Sequence, residues 1–226
     1  MHLLSIGKTI THETLSITSI EESMLPTHQE IEKYHYIIIH GGDGTIRRIV
    51  TILHQKKYQA KIILNPTGSF NVIAKLHRVP KLESVLNTLL NQQTLPTKTY
   101  PYASLNQEIF LFSAGNMGDL QHIFLAETLR FGILKKGMAK YMLSIFFLFP
   151  LHLIMTPFML LSPRRFFIFT PMPFIKKVGS FYGEVKAITI NLKNNYNLIE
   201  LDGDIVTIQA SILEIKPAGE IEIVCG

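Results

Sequence analysis

Tyr36-Ile37-Ile38-Ile39-His40-Gly41-Gly42-Asp43-Gly44-Thr45 is the stretch from which the rest of this chain can be read. Its first half is short, apolar and β-branched, the pattern of a buried parallel strand. Behind it, Ile46-Arg47-Arg48-Ile49-Val50-Thr51-Ile52-Leu53 carries apolar residues at helical spacing. The glycines therefore fall where a strand turns sharply into a helix. Such a turn lets backbone close on a phosphate, because glycine removes side-chain bulk and a helix N-terminus offers N–H groups. A tight structural turn is the plainer reading, and the spacing alone leaves both open. No Gly-Lys-Ser/Thr follows, so this is not a P-loop, and the glycine spacing is not that of the dinucleotide fingerprint. Asp43 reads as a contact to Mg²⁺ or to a nucleotide hydroxyl, or as a solvated turn aspartate. Thr45 reads as a phosphate contact or as a helix N-cap worth ~1 kcal/mol.

A second strand, Lys61-Ile62-Ile63-Leu64, runs into Asn65-Pro66-Thr67-Gly68-Ser69-Phe70-Asn71-Val72, a second turn opening a second helix that ends before Pro80. Ser69 and Asn71 fit ligand contacts and helix caps about equally. With both turns in place, the chain resembles the lipid-kinase family of diacylglycerol and sphingosine kinases and their bacterial relatives. That family carries Gly-Gly-Asp-Gly-Thr after one strand and Pro-Leu-Gly-Thr-Gly/Ala-Asn-Asp-Phe-Ala-Arg after the next. The match falls on Pro66, Gly68, Ser69 (for Thr), Asn71, Ala74, Lys75 (for Arg) and Pro80. Further on, Phe110–Gly115 is similar to the strand and glycine that open the family's second domain. Gly137 to Tyr141 is similar to its Gly-x-x-x-Tyr helix entry, and Ile199–Asp204 to its Asp-Gly-Glu turn. The chain departs from the pattern at Phe70, at Val72 (for Asp), at Arg47-Arg48 (for Asn-Glu) and at Asp204 (for Glu). It also lacks an Asn-Pro-x-x-Gly loop after the first strand.

The resemblance implies an α/β fold: a Rossmann-like nucleotide-binding domain over residues 1–97, then a mainly antiparallel β-sandwich domain over 98–226, with the active site between them. It implies an ATP- and Mg²⁺-dependent kinase acting on a lipid hydroxyl such as that of diacylglycerol. Gly41, Gly42, Asp43, Gly44, Thr45, Pro66, Gly68, Ser69 and Asn71 would form the nucleotide side. The turn bearing Asp202 and Asp204 would supply the general base, with Asp204 preferred and Asp202 as turn former or metal-network partner; no metal ligand set is named. Two other readings stand beside this one. One is a lipid- or nucleotide-binding member of the fold with weak or no catalysis; the other is a soluble-substrate kinase of the NAD-kinase type.

Composition narrows the classes. At 226 residues, 47% hydrophobic and 17% charged, the chain is not disordered and can bury a real core. A net charge of +5, spread over isolated basic pairs, favours anionic small molecules or acidic lipid head groups. No aromatic-interleaved basic stripe suggests nucleic acid. One cysteine, Cys225, excludes an intramolecular disulfide and fits a reducing cytoplasm, with a buried thiol expected. The nine histidines show no metal-ligand spacing, and only His40 abuts the glycine turn.

Along the chain, strands are expected at 3–6, 14–20, 36–40 and 61–64, and helices at 26–33 and 81–91. Residues 92–101, rich in Thr, Gln and Pro, read as a linker. Beyond it strands are expected at 109–114, 165–169, 184–192, 197–201, 211–215 and 220–224. Their turns fall at Asn194-Asn195, Asp202-Gly203 and Pro217-Ala218-Gly219. Tyr141 to Pro163 contains no Asp, Glu, Lys or Arg. Pro150 and Pro157 divide it into pieces shorter than the about 20 residues that a span needs. It reads as a buried helix, or as a segment lying in the membrane interface with Arg164-Arg165 towards anionic head groups. The latter would make the protein peripheral at the inner membrane face.

Overall fold

A computed structural model describes residues 1–68, 70–91, 93–116, 166–169, 181–182 and 187–226. The chain divides into two compact units: Met1–Ala103 with Pro217–Gly226, and Ser104–Lys216. Residues 217–226, which the 98–226 reading assigns to the second domain, thus return to the first unit.

The first unit is a parallel sheet with helices. Its strands are β1 (His2–Ile6), β2 (Ser16–Ile20), β3 (Tyr36–Gly41) and β4 (Lys61–Pro66), joined by β5 (Thr97–Leu105) and by the end of the long last strand β13 (Ile212–Val224). The order is β2-β1-β3-β4-β13-β5, and β2 through β13 pair in parallel. Helix α1 (Asp43–Gln55) follows β3, α2 (Val72–Leu76) follows β4, and α3 (Leu82–Leu90) comes next. The central strands are apolar run by run because both of their faces are covered. Leu3, Ile38, Ile63 and Val224 share one cluster with Val85, Leu86 and Leu89 of α3. Helix α1 buries Ile46, Ile49, Val50 and Leu53, the stripe expected of a 3.6-residue period.

Three local expectations change here. The helix expected over 26–33 is replaced by 3₁₀ turns at Glu22–Met24 and Ile31–Lys33, with Glu30 between them left-handed at φ 55°. The expected linker 92–101 contains the start of β5: its threonines and tyrosines suit a strand, and Pro101 is tolerated within it. Cys225 lies just past the end of β13 and is only half-buried, its Sγ 3.7 Å from the Pro96 carbonyl oxygen.

The second unit begins with the end of β5, which turns through Asn106 (φ 53°) into β6 (Glu108–Phe110). Strand β10 (Ile188–Asn191) pairs antiparallel with the first residues of β13. A separate sheet runs in the order β12-β11-β7-β8-β9: β7 is Ser113–Asn116, β8 Phe166–Phe169, β9 Phe181–Tyr182, β11 Asn197–Leu201 and β12 Asp204–Ile208. All its pairings are antiparallel except β8 with β9. The parallel α/β sheet and the separate, mainly antiparallel sheet are the expected fold class.

Asp202-Gly203 makes the tight β11–β12 hairpin, with both residues at positive φ (50° and 91°), the geometry of a two-residue turn that matches strand twist. The other two expected turns are not hairpins. Asn194-Asn195 joins β10 and β11, which lie in different sheets. Pro217-Ala218-Gly219 lies inside β13, which continues unbroken for 13 residues. Gly219 is there for a reason of space: a Cβ would stand 2.5 Å from the Tyr102 hydroxyl oxygen. That phenol in turn meets His54 Nδ1 at 3.0 Å.

Candidate functional site

The two glycine turns lie side by side at the C-terminal ends of β3 and β4. Strand register sets this, with His40 opposite Asn65 and Gly41 opposite Pro66. The Thr67 N–H then donates to the Gly41 carbonyl at 3.1 Å. Beyond that point the two backbones meet. A Cβ on Gly68 would stand 2.6 Å from the Gly42 Cα, and one on Gly42 would stand 3.1 Å from the Gly68 Cα. Neither glycine has a positive φ. Close approach, not backbone conformation, requires them. Gly41 is similarly confined, since a Cβ there would run into the Thr45 side chain.

Helix α1 begins at Asp43, with Gly42 as an extended N-cap that has no side chain to offer. The Ile46 N–H closes the first intrahelical bond to the Gly42 carbonyl at 3.1 Å. Gly42 therefore offers α1 no capping side chain, and the helix dipole is positive towards the glycine turn. Thr45 is the third residue of the helix rather than its N-cap. Its Oγ1 accepts from Arg48 Nη2 at 3.2 Å, and the same guanidinium pairs with Glu22. Arg47 does not lie on a solvated helix face: it is buried at 5% exposure. The helix turns that side chain inward with Ile46 and Val50.

Asp43 is neither solvated nor open. It is 8% exposed, and its carboxylate accepts two backbone N–H groups, from Val72 at 2.8 Å (Oδ2) and Ile73 at 3.1 Å (Oδ1). These are the first two residues of α2. The first turn thus caps the helix that the second turn opens. Asn71 stands just before that helix in the left-handed region (φ 49°), where asparagine is among the tolerated residues. Its Nδ2 donates to the Gly68 carbonyl at 2.7 Å, closing the second turn on itself. Pro66 and Gly68 are exposed at the turn and Phe70 projects at 45% exposure. Ser69 lies outside the described residues.

His40 is the histidine that abuts the first glycine turn. It is buried, and both ring nitrogens already have protein partners. Ser5 Oγ donates to the Lys8 carbonyl at 2.7 Å, so it accepts from His40 Nε2 at 3.0 Å. His40 Nδ1 is then the acceptor for Asn65 Nδ2 at 2.8 Å. This chain of donors fixes the Nε2–H tautomer. Burial, and then the Lys8 charge, push the ring pKa down, so the imidazole is neutral. The relay ties the ends of β1, β3 and β4 together under the glycine turns. Its other members, Ser5 and Asn65, carry no motif that would have revealed it.

The Asp202–Asp204 hairpin belongs to the second unit. Period-2 alternation along a continuous strand would send both carboxylates to one side. Instead Asp202 sits in the turn itself, left-handed and 2% exposed, while Asp204 begins β12 opposite Leu201 and is half-buried. Asp202 accepts three backbone N–H groups: Leu111 at 2.6 Å, and Phe112 and Ser113 each at 2.9 Å. Its own N–H donates to the Ser113 carbonyl at 3.1 Å. Burial pushes its pKa up to about 7 against the pull of those three bonds. The carboxylate that adds to the rise is Glu200, not Asp204. Glu200 Oε1 itself accepts from the Gly203 N–H and from Ser113 Oγ. Glu200 and Ser113 are site neighbours that sequence reasoning missed.

No helix among the described residues is long and apolar enough to cross a membrane. The segment from Tyr141 to Pro163 and the pair Arg164-Arg165 lie outside the described residues.

A parallel sheet whose adjacent strands end in two interlocked glycine turns, each opening a helix, defines a class of α/β folds with a loop site at the strand C-termini. Within that class, residues 8–101 match the family model of the diacylglycerol kinase catalytic domain. No curated protein sequence matches the chain. Among solved structures, the chain is similar to a diacylglycerol kinase from Bacillus anthracis str. Sterne at 14% identity and TM-score 0.58, covering 100% of this chain and 96% of that one. It is also similar to an NAD kinase from Archaeoglobus fulgidus in complex with ATP, at 15% identity and TM-score 0.51, covering 100% and 93%. At such identities these likenesses speak for the fold.

Proposed function

We propose that the protein transfers the γ-phosphoryl group of ATP to the hydroxyl of a lipid alcohol such as diacylglycerol. One contrast carries this reading: the N-cap of α1 is a glycine with no side chain to offer, whereas α2 beside it is capped by Asp43. A helix N-terminus opening on a glycine turn fits an anion. Gly41, Gly42, Gly44 and Thr45 would meet the phosphates, and Pro66, Gly68, Ser69 and Asn71 would form the second wall. Mg²⁺ would supply charge neutralisation on the phosphates. Among the described residues no three His, Cys, Asp or Glu gather into a metal site. This fits an ion carried on the phosphates rather than caged by the protein.

In the second unit, Asp204 is the proposed general base, at the start of β12, and Asp202, which accepts three backbone N–H groups, is the turn former. In the transfer, the acceptor oxygen bonds to phosphorus, the bond to the bridging oxygen of ADP breaks, and the hydroxyl proton passes to Asp204. A lipid acceptor would make the protein peripheral at the inner face of a cytoplasmic membrane.

The decisive experiment is labelled ATP with a panel of lipid alcohols in mixed micelles, with NAD as a soluble acceptor in parallel. Label in a lipid product supports this reading. Label in the soluble product alone replaces it with an NAD-kinase-type activity. ATP binding with no turnover on any acceptor leaves a binding protein.

A further inference from the structure

We propose that Asp43 is a positioning residue: its carboxylate locks the second glycine turn against the first through the α2 backbone and does not ligate Mg²⁺. This rests on the reading of the paired turns as the ATP phosphate site. Three observations carry it. The carboxylate is 8% exposed, and each oxygen is engaged by a different N–H at the start of α2. Asp43 also begins α1, so one negative charge stands at the positive ends of two helices. And the turns it joins are in backbone contact at Gly42 and Gly68, where a shift of a few tenths of an ångström is felt.

Helix α2 has five residues, too few to persist without an anchor. Asn71 closes the second turn on itself, through the Gly68 carbonyl. Beside the Thr67–Gly41 backbone bond and the Gly42–Gly68 contact, Asp43 adds a side-chain tie that connects the first turn to the helix the second one opens. A Mg²⁺ ligand is asked for something else: near-octahedral geometry, usually with one or two carboxylates and several waters. Asp43 instead points both oxygens at the protein backbone.

The test has two arms on the full chain. The first is amide hydrogen exchange without nucleotide. The Val72 and Ile73 amides of the unaltered protein should be protected. In Asp43→Asn, whose amide nitrogen turns a donor towards one of those donors, their exchange should speed by roughly tenfold or more, equivalent to about 1.4 kcal/mol. Leu86 and Leu89 of α3 should keep their protection, showing that the fold is intact. The second arm is ATP binding in Mg²⁺ and in EDTA. Asp43→Asn should lose affinity by the same factor in both, and the Mg²⁺ concentration for half-effect should not move. Loss confined to Mg²⁺ would make Asp43 a metal ligand and overturn the proposal. So would unprotected Val72 and Ile73 amides in the unaltered protein, or protection that survives Asp43→Asn. If the unaltered protein binds no ATP, the phosphate reading fails by itself, and the exchange arm still decides what Asp43 holds.

Discussion

Asp43 and Asp202 are both buried carboxylates turned towards backbone N–H groups, yet they differ in reach. Asp43 bridges about 30 residues of chain and Asp202 about 90. The Asp202 brace predicts a pH effect with a definite sign. Its folded pKa of about 7 lies above the ordinary 3.8. The folded state therefore binds the proton more tightly, and this contribution is fully present below pH 3.8 and lost as pH rises through 7. Urea unfolding should show the second unit less stable at pH 8 than at pH 5. Asp202→Asn should flatten that slope. A slope unchanged in that variant would remove Asp202 as its source. Asp204→Asn makes the complementary prediction: the transfer rate falls by about 10²–10⁴-fold while ATP affinity stays within a factor of two or so. Equal activity of this variant and the unaltered protein would assign the proton to another group.

At the scale of elements, the turns decide what a residue pattern can announce. The Gly41–Thr45 and Pro66–Asn71 turns were legible because strand, glycine and helix follow one another locally, and the chemistry of each step is written within about ten residues. The contact between them was not, since Gly42 and Gly68 meet only after β3 and β4 pair. Nor was the Asp202 brace, whose donors lie in another part of the chain with no motif to mark them. Pro217-Ala218-Gly219 misled in the opposite direction. These are turn residues by composition, but pairing with distant strands overrides local preference. The interlock itself can be tested. Gly68→Ala puts a methyl 2.6 Å from the Gly42 Cα and 2.8 Å from Asn71 Oδ1. Because the first obstacle is backbone, the turns must part, at about 1–3 kcal/mol. Thermal unfolding should register that loss, and ATP-dependent stabilisation should disappear with it. In Gly203→Ala, at the other turn, a Cβ meets nothing within 4 Å and only the positive φ is strained. Nucleotide affinity should therefore be unaffected there.

At the scale of the whole molecule, the first unit is discontinuous: its sheet contains a strand that the chain reaches only after the second unit is complete. The end of β13 stands between β4 and β5, pairing Glu222 with Lys61 and Ile223 with Ile62. Its Ile223 and Val224 are buried to within 1%. A chain ending at Lys216 should therefore lose the cooperative unfolding of the first unit, although residues 1–103 are all present. Circular dichroism melts and amide exchange at Ile38 and Ile63 would register this. Native-like exchange protection there would mean that the sheet closes without its last strand.

That same strand sets a timetable for synthesis. After Ala103 leaves the ribosome, more than one hundred further residues must follow before Pro217 arrives. At roughly 5–20 residues per second that delay is on the order of ten seconds. Throughout it, β4 presents an unpaired edge of apolar Ile62-Ile63-Leu64, the kind of edge on which nascent chains stick to one another. Codon changes that slow translation between 104 and 216 should thus lower the soluble yield, and those that speed it should raise it, without altering a single amino acid.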